Sequence, residues 1–410
     1  MGQTVAEKIL SAKSGRPVRA GDIAVCRVDS AMATDGSAPA AIDCFERMGG
    51  TRLFDPPRVF LVLDHYSGAG GSAAIHDRIR EFARRTGARC FDRGEGISHQ
   101  IMVERGHILP GDLAVGADSH SVTGGALNAF STGLGSSDVA AIWLGGRTWL
   151  KTPPTIRVVL EGAPPEGVLP KDIALALAGR LRADGAAYSA IEFCGGGLDL
   201  EDRFVLSNMS VEMGAKAGIF PADEKTFEYL GDRQGEPVHP DSDAEYSAEV
   251  RLDLAGLRPR IARPHSVDDV VPVDEATGTP VHMVYLGTCT GGRVRDFHHA
   301  LAVLERAGGP APGVRLVASP ASKLVQKTLA KDGTLAKLAA MGAHLLEPGC
   351  GSCCGTAGPV PQDGWNVVST ANRNFKGRMG NGRAFIYLAS PAACAASAAR
   401  GRIADPSEFL

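Results

Sequence analysis

The stretch Pro348-Gly349-Cys350-Gly351-Ser352-Cys353-Cys354-Gly355 decides how this chain is organised, together with a distant partner, Leu286-Gly287-Thr288-Cys289-Thr290-Gly291-Gly292-Arg293. Two thiols at C-x-x-C spacing and a third about sixty residues upstream offer soft ligands, the kind that select iron–sulfur clusters, zinc or copper(I). The flanking glycines let backbone come close to a cluster and its sulfides, where a side chain would block the approach. Iron–sulfur clusters usually take four cysteine ligands, so a trio suggests one iron left open for chemistry. A closed zinc site that also uses Cys354, and plain packing of buried cysteines, are the alternatives that spacing leaves open.

The bulk properties narrow the field. The 410 residues suffice for two or three domains, and 44% hydrophobic with 22% charged residues is ordinary for a soluble globular protein. A net charge of -3 without a basic run argues against nucleic acid as a partner. No apolar stretch reaches the ~18 residues of a membrane span, and the N-terminus lacks a charged-then-apolar signal pattern. Nine cysteines in an odd, clustered set point to reduced thiols and a cytoplasmic protein.

Along the chain, residues 4–14 read as an amphipathic helix, 22–28 as a strand, 29–39 as turn, and 40–49 as helix. Arg58 to Leu63 is a continuous apolar run of strand length that ends on Asp64-His65 and feeds a helix near 73–86, the pattern of a buried parallel strand. The grammar repeats. Asp112 to Ala117 leads to Asp118-Ser119-His120 and an expected Gly/Ala-rich helix around Gly133 and Gly135; Val281 to Leu286 leads to Cys289 and a helix over 294–306. Val314 to Ala318 and Trp365 to Ser369 complete the series, the latter followed by Asn372-Arg373. Open α/β sheets place their sites at such carboxyl ends of strands. Residues 151–280 differ, with strands expected at 155–160 and 248–253, a proline-started helix over 170–183, and a proline-rich linker over 257–280. The expected domains are 1–150, carrying the Asp-His and Asp-Ser-His motifs, a middle α/β domain 151–275, and a cysteine-bearing α/β domain 276–410.

The strand ends carry polar chemistry. Asp118 and His120 stand at i and i+2, on one side if the strand continues through them, and a carboxylate beside an imidazole raises its basicity for proton transfer. Asp64-His65 and His99 are ambiguous in isolation. Arg373 and Arg378 are two guanidinium forks suited to a di- or tricarboxylate, although an isolated basic loop is more often merely solvated. The run Ser67 to Ser72 lacks both phosphate-loop orders, so nucleotide binding is set aside.

Taken together, these motifs resemble the aconitase superfamily, most closely its isopropylmalate dehydratase and homoaconitase large-subunit branch. The resemblance runs nearly end to end through Thr4–Leu10, Asp64-His65, Gly96-Ile-Ser-His-Gln100, Gly116-Ala-Asp-Ser-His120, Asn208-Met-Ser-Val-Glu-Met-Gly214, Gly287-Thr-Cys-Thr290, Gly349-Cys-Gly-Ser-Cys353 and Asn372-Arg-Asn-Phe-Lys-Gly-Arg378. It implies a three-layer α/β/α core of pseudo-repeated domains around a 4Fe–4S cluster. The cluster would be held by Cys289, Cys350 and Cys353, with one iron open and Cys354 not a ligand. It further implies a hydro-lyase acting on a hydroxy di- or tricarboxylic acid, with 3-isopropylmalate in leucine biosynthesis as leading substrate. Homoaconitate, 2,3-dimethylmalate and 2-methylmalate are the alternatives. By the same resemblance Asp64–His65, His99 with Asp118, and His120 with Glu192 are the acid–base pairs, Arg373 and Arg378 clamp carboxylates, and Asn372 supports cluster or substrate. The family's serine base lies on a swivelling domain whose loop is not found in this sequence, so a small subunit is expected to complete the enzyme. Departures stand at Gly291, Thr34, Ser98 and Ser121, where relatives often carry Asn, His/Asn/Gln, Cys and Thr.

A non-catalytic iron–sulfur or zinc protein is the rival from another class. An electron carrier needs neither acid–base histidines nor arginines, and a structural zinc site prefers four firm ligands.

Overall fold

The computed structural model describes residues 2–66 and 71–409, so most of the glycine-rich run 67–72 lies outside the described residues. Three parallel-stranded sheets dominate. The first is five-stranded, in the order Arg89–Phe91, Val59–Val62, Ser30–Thr34, Leu113–Gly116, Phe130–Gly133, with every neighbour parallel. The second runs Ala217–Ile219, Ala190–Gly195, Thr155–Glu161, Ala248–Asp253, also all parallel. The third is seven-stranded: Val270–Pro272, Arg260–Ala262, Phe385–Ala389, Asn366–Ser369, Met283–Leu286, Arg315–Ala318, His344–Leu345, with Arg260–Ala262 running antiparallel to both its neighbours and every other pair parallel. A two-stranded ribbon pairs Ile23–Arg27 with Arg147–Lys151.

The apolar strand runs follow from burial on both faces. In the first sheet Ala31, Ala33, Val59, Leu61, Leu113 and Val115 pack into one core, while Met32, Phe60, Val62 and Ala114 pack into the other. In the third, Met283, Tyr285 and Val317 alternate in the same way with Val284, Leu286, Leu316 and Ala318. Successive side chains point to opposite faces, so a sheet covered by helices on both sides needs apolar residues at every position. This is the three-layer α/β/α arrangement.

Three local expectations are corrected. The segment expected as turn contains the central strand Ser30–Thr34, fully buried but built of small residues with little strand signature. After His120 the chain forms a 3-10 helix, Ser119–Leu127, then left-handed Asn128, the strand Phe130–Gly133 and only then the helix Ser136–Gly145. Gly125 explains that irregularity, because a Cβ there would lie 2.0 Å from the Gly218 carbonyl oxygen. The proline-rich linker carries Arg260–Ala262 and Val270–Pro272, which hydrogen-bond into the last sheet.

The helix Val5–Ser14 shows how local sequence anchors the start of the chain. Thr4 Oγ1 accepts from the Glu7 amide at 3.3 Å and Glu7 Oε2 accepts from the Thr4 amide at 3.0 Å, a capping box that satisfies two otherwise orphaned donors. Among the described residues no helix is long and apolar enough to cross a membrane.

Candidate active site

The carboxyl ends of the first and third sheets face one another across the site. Asp64 and His65 follow Val59–Val62, Asp118 follows Leu113–Gly116, Cys289 follows Met283–Leu286, and Asn372 follows Asn366–Ser369. Backbone bonds seal the junction: Cys350 N–H donates to Asp64 O at 3.0 Å and Ile97 N–H to Ala321 O at 2.8 Å.

The cysteine loops are held in costly conformations. Thr288 has a φ of 73°, a left-handed geometry that a β-branched residue rarely adopts. Its Oγ1 donates to Thr370 O at 3.1 Å, and Thr290 Oγ1 to the same carbonyl at 2.8 Å, which over-determines the turn. Gly351 has a φ of 55°, and a Cβ there would come 2.3 Å from Tyr285 Oη, the hydroxyl that donates to Cys350 O at 2.9 Å. Gly351→Ala therefore combines strain with a clash at the turn between the two C-x-x-C thiols. The expected result is a loss of about 1–3 kcal/mol by urea unfolding of the metal-free chain, together with a large fall in metal uptake.

Each of the three thiols meets polar groups. Asn208 and Asn372 aim Nδ2 at Cys289 Sγ at 3.2 and 3.3 Å, and Arg378 Nη2 lies 3.4 Å from Cys353 Sγ. Cys350 Sγ is 3.8 Å from both His65 Nε2 and Asp64 Oδ2. Cys289 and Cys350 share a small apolar cluster with Ile97 and Ala321. Burial pushes the Cys289 thiol up to about 12 and Cys350 well above its ordinary value. A lone thiolate is not sustained in such a place, whereas a metal deprotonates a coordinating thiol outright. Soft sulfur donors on two close-approach loops, with N–H groups directed at the sulfurs, fit an iron–sulfur cluster. Cys354 is engaged elsewhere, 2.8 Å from Thr356 Oγ1 and 3.8 Å from the His65 carbonyl.

Beside the thiols lie three histidines. Asp64 Oδ1 is 2.7 Å from His65 Nδ1, and its Oδ2 accepts the Ser98 amide at 2.7 Å. Burial opposes ionisation of Asp64, but the pull of His65 and the Ser98 hydrogen bond still leave its pKa lowered. Asp118 Oδ1 is 3.0 Å from His99 Nε2 and accepts the His120 amide at 2.8 Å, while its Oδ2 is 3.6 Å from His65 Nε2. The strand stops before Asp118, which instead caps the 3-10 helix, so its proximity to His120 comes from a cap rather than a strand face. Among the described residues His99 Nδ1 is buried without a hydrogen-bond partner.

The expected pairing of His120 with Glu192 is corrected. His120 Nε2 lies 2.7 Å from Glu212 Oε1, and Arg373 Nε donates to both oxygens of Glu212, at 2.8 and 3.0 Å. Burial works against the Glu212 carboxylate, but His120 and Arg373 hold its pKa down. Glu192 is placed in the strand Ala190–Gly195, where it accepts from Val5 N–H at 3.0 Å and Tyr246 Oη at 2.7 Å, anchoring the first helix instead. Glu212 had a signal in the sequence: Asn208 and Glu212 are four residues apart in one quoted motif, the spacing that puts two side chains on one helical face. Asp35 was missed as well. Its carboxylate accepts the amides of His65 and Tyr66 at 2.9 and 3.0 Å and lies 2.9 Å from His76 Nε2, so it fixes the turn that presents His65.

Residues 7–401 match the aconitase family (aconitate hydratase). The chain belongs to the aconitase family. It is 46% identical over the full length of both chains to 3-isopropylmalate dehydratase large subunit 1 of Methanopyrus kandleri, and 46% identical, again over both full lengths, to that of Thermotoga maritima. It is 44% identical to the homoaconitase large subunit of Thermus thermophilus, over 100% of this chain and 98% of that one. The crystal structure of Thermococcus kodakaraensis aconitase X in its holo form aligns with a TM-score of 0.55 over 92% of each chain at 13% identity, a likeness of fold. The aconitase family implies a 4Fe–4S cluster, and the aconitase-like core brings together the thiols, the histidines and the arginines described above.

Proposed function

We propose that this chain is the large, cluster-bearing subunit of a hydro-lyase that isomerises a hydroxy di- or tricarboxylic acid through an alkene, with 2-isopropylmalate and 3-isopropylmalate as leading substrate pair. One contact carries the reading: Cys350 Sγ stands 3.8 Å from His65 Nε2, so the soft-ligand set and the acid–base set form one site. The full-length similarity to isopropylmalate dehydratase large subunits supports the substrate, and that to the homoaconitase large subunit makes homoaconitate the nearest alternative.

Cys289, Cys350 and Cys353 would hold the cluster and leave one iron without a cysteine. When bound, such a cluster supplies Lewis acidity for a carboxylate and a departing hydroxyl. The protein's own groups then do the rest. Asp64 fixes Nδ1 of His65 and leaves Nε2 to carry a proton toward the leaving oxygen. Glu212 holds His120 by Nε2, and Asp118 joins His99 to the backbone of His120, keeping the second and third imidazoles oriented. Arg373 spends its Nε on Glu212 and keeps its terminal nitrogens for a substrate carboxylate, while Arg378, whose Nη2 reaches Cys353 Sγ, would supply the second guanidinium. The family's base is expected from a small subunit, a partner that the large-subunit relatives' names also support.

The test is anaerobic reconstitution with iron and sulfide, co-purification with a candidate small subunit, and measurement of alkene formation from 2-isopropylmalate and from homocitrate. Turnover of 2-isopropylmalate only with the second subunit present is the expected result. Turnover of homocitrate alone moves the substrate to homoaconitate, and no turnover of any hydroxy acid by a cluster-loaded complex overturns the reading.

A further inference from the structure

Two cations are buried close to Cys289 without a carboxylate partner among the described residues. Lys171, in the first turn of the helix Pro170–Leu181, is 1% exposed. Its Nζ donates to Thr290 Oγ1 at 2.7 Å, Thr370 O at 2.8 Å and Ala371 O at 2.9 Å, tying the Cys289 loop to the loop of Asn372 and Arg373. Arg293, also 1% exposed, precedes the helix Val294–Ala307 at the end of the same cysteine loop. Its Nε donates to Gln100 Oε1 at 3.0 Å, and both terminal nitrogens are buried with no hydrogen-bond partner among the described residues. The guanidinium lies over the Phe204 ring, 5.0 Å from its centroid. Phe204 is one helical turn before Asn208, whose Nδ2 touches Cys289 Sγ. The cation therefore sits about one turn along the helix from the thiol.

The carboxylates in electrostatic range do not neutralise this pair. Asp172 accepts the amides of Leu169 and Arg260, and Asp296 accepts the Arg293 backbone N–H as a helix cap. Glu201 forms no ion pair with Arg293, and burial pushes its pKa up, toward the neutral acid. A buried charge is costly unless an opposite charge meets it. Three thiolates outweigh the charge of an oxidised cluster core, so the loaded site is anionic, and reduction makes it more so.

We propose that Lys171 and Arg293 are the counter-cations of the group held by Cys289, Cys350 and Cys353, positioning residues that balance its negative charge and raise its reduction potential. The proposal rests on the cluster reading given above. It deepens that reading by naming what, on the protein side, tunes and retains the cluster.

The experiment compares full-length Arg293→Met, Lys171→Met and the charge-preserving Arg293→Lys with the wild type, by apo-chain melting, iron and sulfide content, and the midpoint potential of the reconstituted cluster. Arg293→Met should leave apo melting unchanged or raised, because an uncompensated buried guanidinium has gone. Its cluster should reduce less readily, with the one-electron equilibrium moved about tenfold, ~59 mV, and should lose iron several-fold faster. Arg293→Lys should stay close to the wild-type potential. Lys171→Met should move the potential in the same direction, while its apo chain melts lower because Ala371 O loses its side-chain donor and the tie between the two loops is cut. A wild-type potential in Arg293→Met, an equal displacement in Arg293→Lys, or a markedly lower apo melting point in Arg293→Met each overturns the proposal. A wild-type chain that binds neither iron nor sulfide overturns the cluster reading itself, an outcome visible before any variant is compared.

Discussion

Serine at Cys289, Cys350 or Cys353 is expected to abolish both metal retention and turnover, whereas Cys354→Ser keeps both. The wild type should hold roughly four irons per chain after anaerobic reconstitution, and each of the three variants should fall far short of that. The contrast follows from the geometry. Cys289 and Cys353 accept N–H groups from Asn208, Asn372 and Arg378 at 3.2–3.4 Å, and Cys350 faces His65. Cys354, although adjacent to Cys353, is engaged with Thr356 and the His65 carbonyl. A hydroxyl in place of a thiol removes a soft ligand and sets a hard oxygen in its position. Iron and sulfide analysis with EPR before and after mild oxidation reads the result. If Cys354→Ser loses metal as fully as the other three, the assignment of ligands is wrong.

The second large effect is expected at Glu212. Glu212→Gln should lower kcat by about 10²–10⁴-fold, the range of a positioned acid–base group, with metal content unchanged. The carboxylate accepts from His120 and Arg373 together, so the amide disturbs both the imidazole and the carboxylate clamp. Because Arg373 Nε reaches both oxygens, an amide –NH2 in either position faces the guanidinium, a repulsive contact. Glu192→Gln, by contrast, should leave kcat within a few-fold of wild type, because among the described residues the Glu192 carboxylate hydrogen-bonds to Val5 and Tyr246 and not to His120. Steady-state rates of the two variants in the assembled enzyme decide the matter, and equal losses would return Glu192 to the site.

Much of the architecture was legible from the chain alone, for physical reasons that differ by element. Parallel strands covered on both faces must be apolar throughout, so Val59–Val62 and Met283–Leu286 announce themselves as short runs. The polar residues that end them, Asp64-His65 and Cys289, stand out because nothing in a core calls for them. Ser30–Thr34 obeys the same burial rule, yet its small side chains carry almost no strand propensity, so its central place in the sheet is invisible locally. The helix expected after His120 failed because Gly125 and its neighbours serve a close approach to Gly218, a contact that no local pattern reveals.

The sequence by itself determined the soft thiol donors, the α/β character with buried parallel strands and the inventory of candidate acid–base and anion-binding groups. Those follow from residue chemistry, from short-range periodicity and from motifs read in one stretch. Tertiary structure alone decided the partners. His120 meets Glu212 across 92 residues, Cys350 meets His65 across 285, and Lys171 joins two loops that lie 119 and 199 or more residues away. Pairings of this kind are set by where sheets and helices bring strand ends together, and hydrogen bonds only a few ångströms long leave no trace in sequence spacing. Glu192 and Glu212 are alike as residues; the strand carries one to the first helix, and the turn after Met209 carries the other to the histidine.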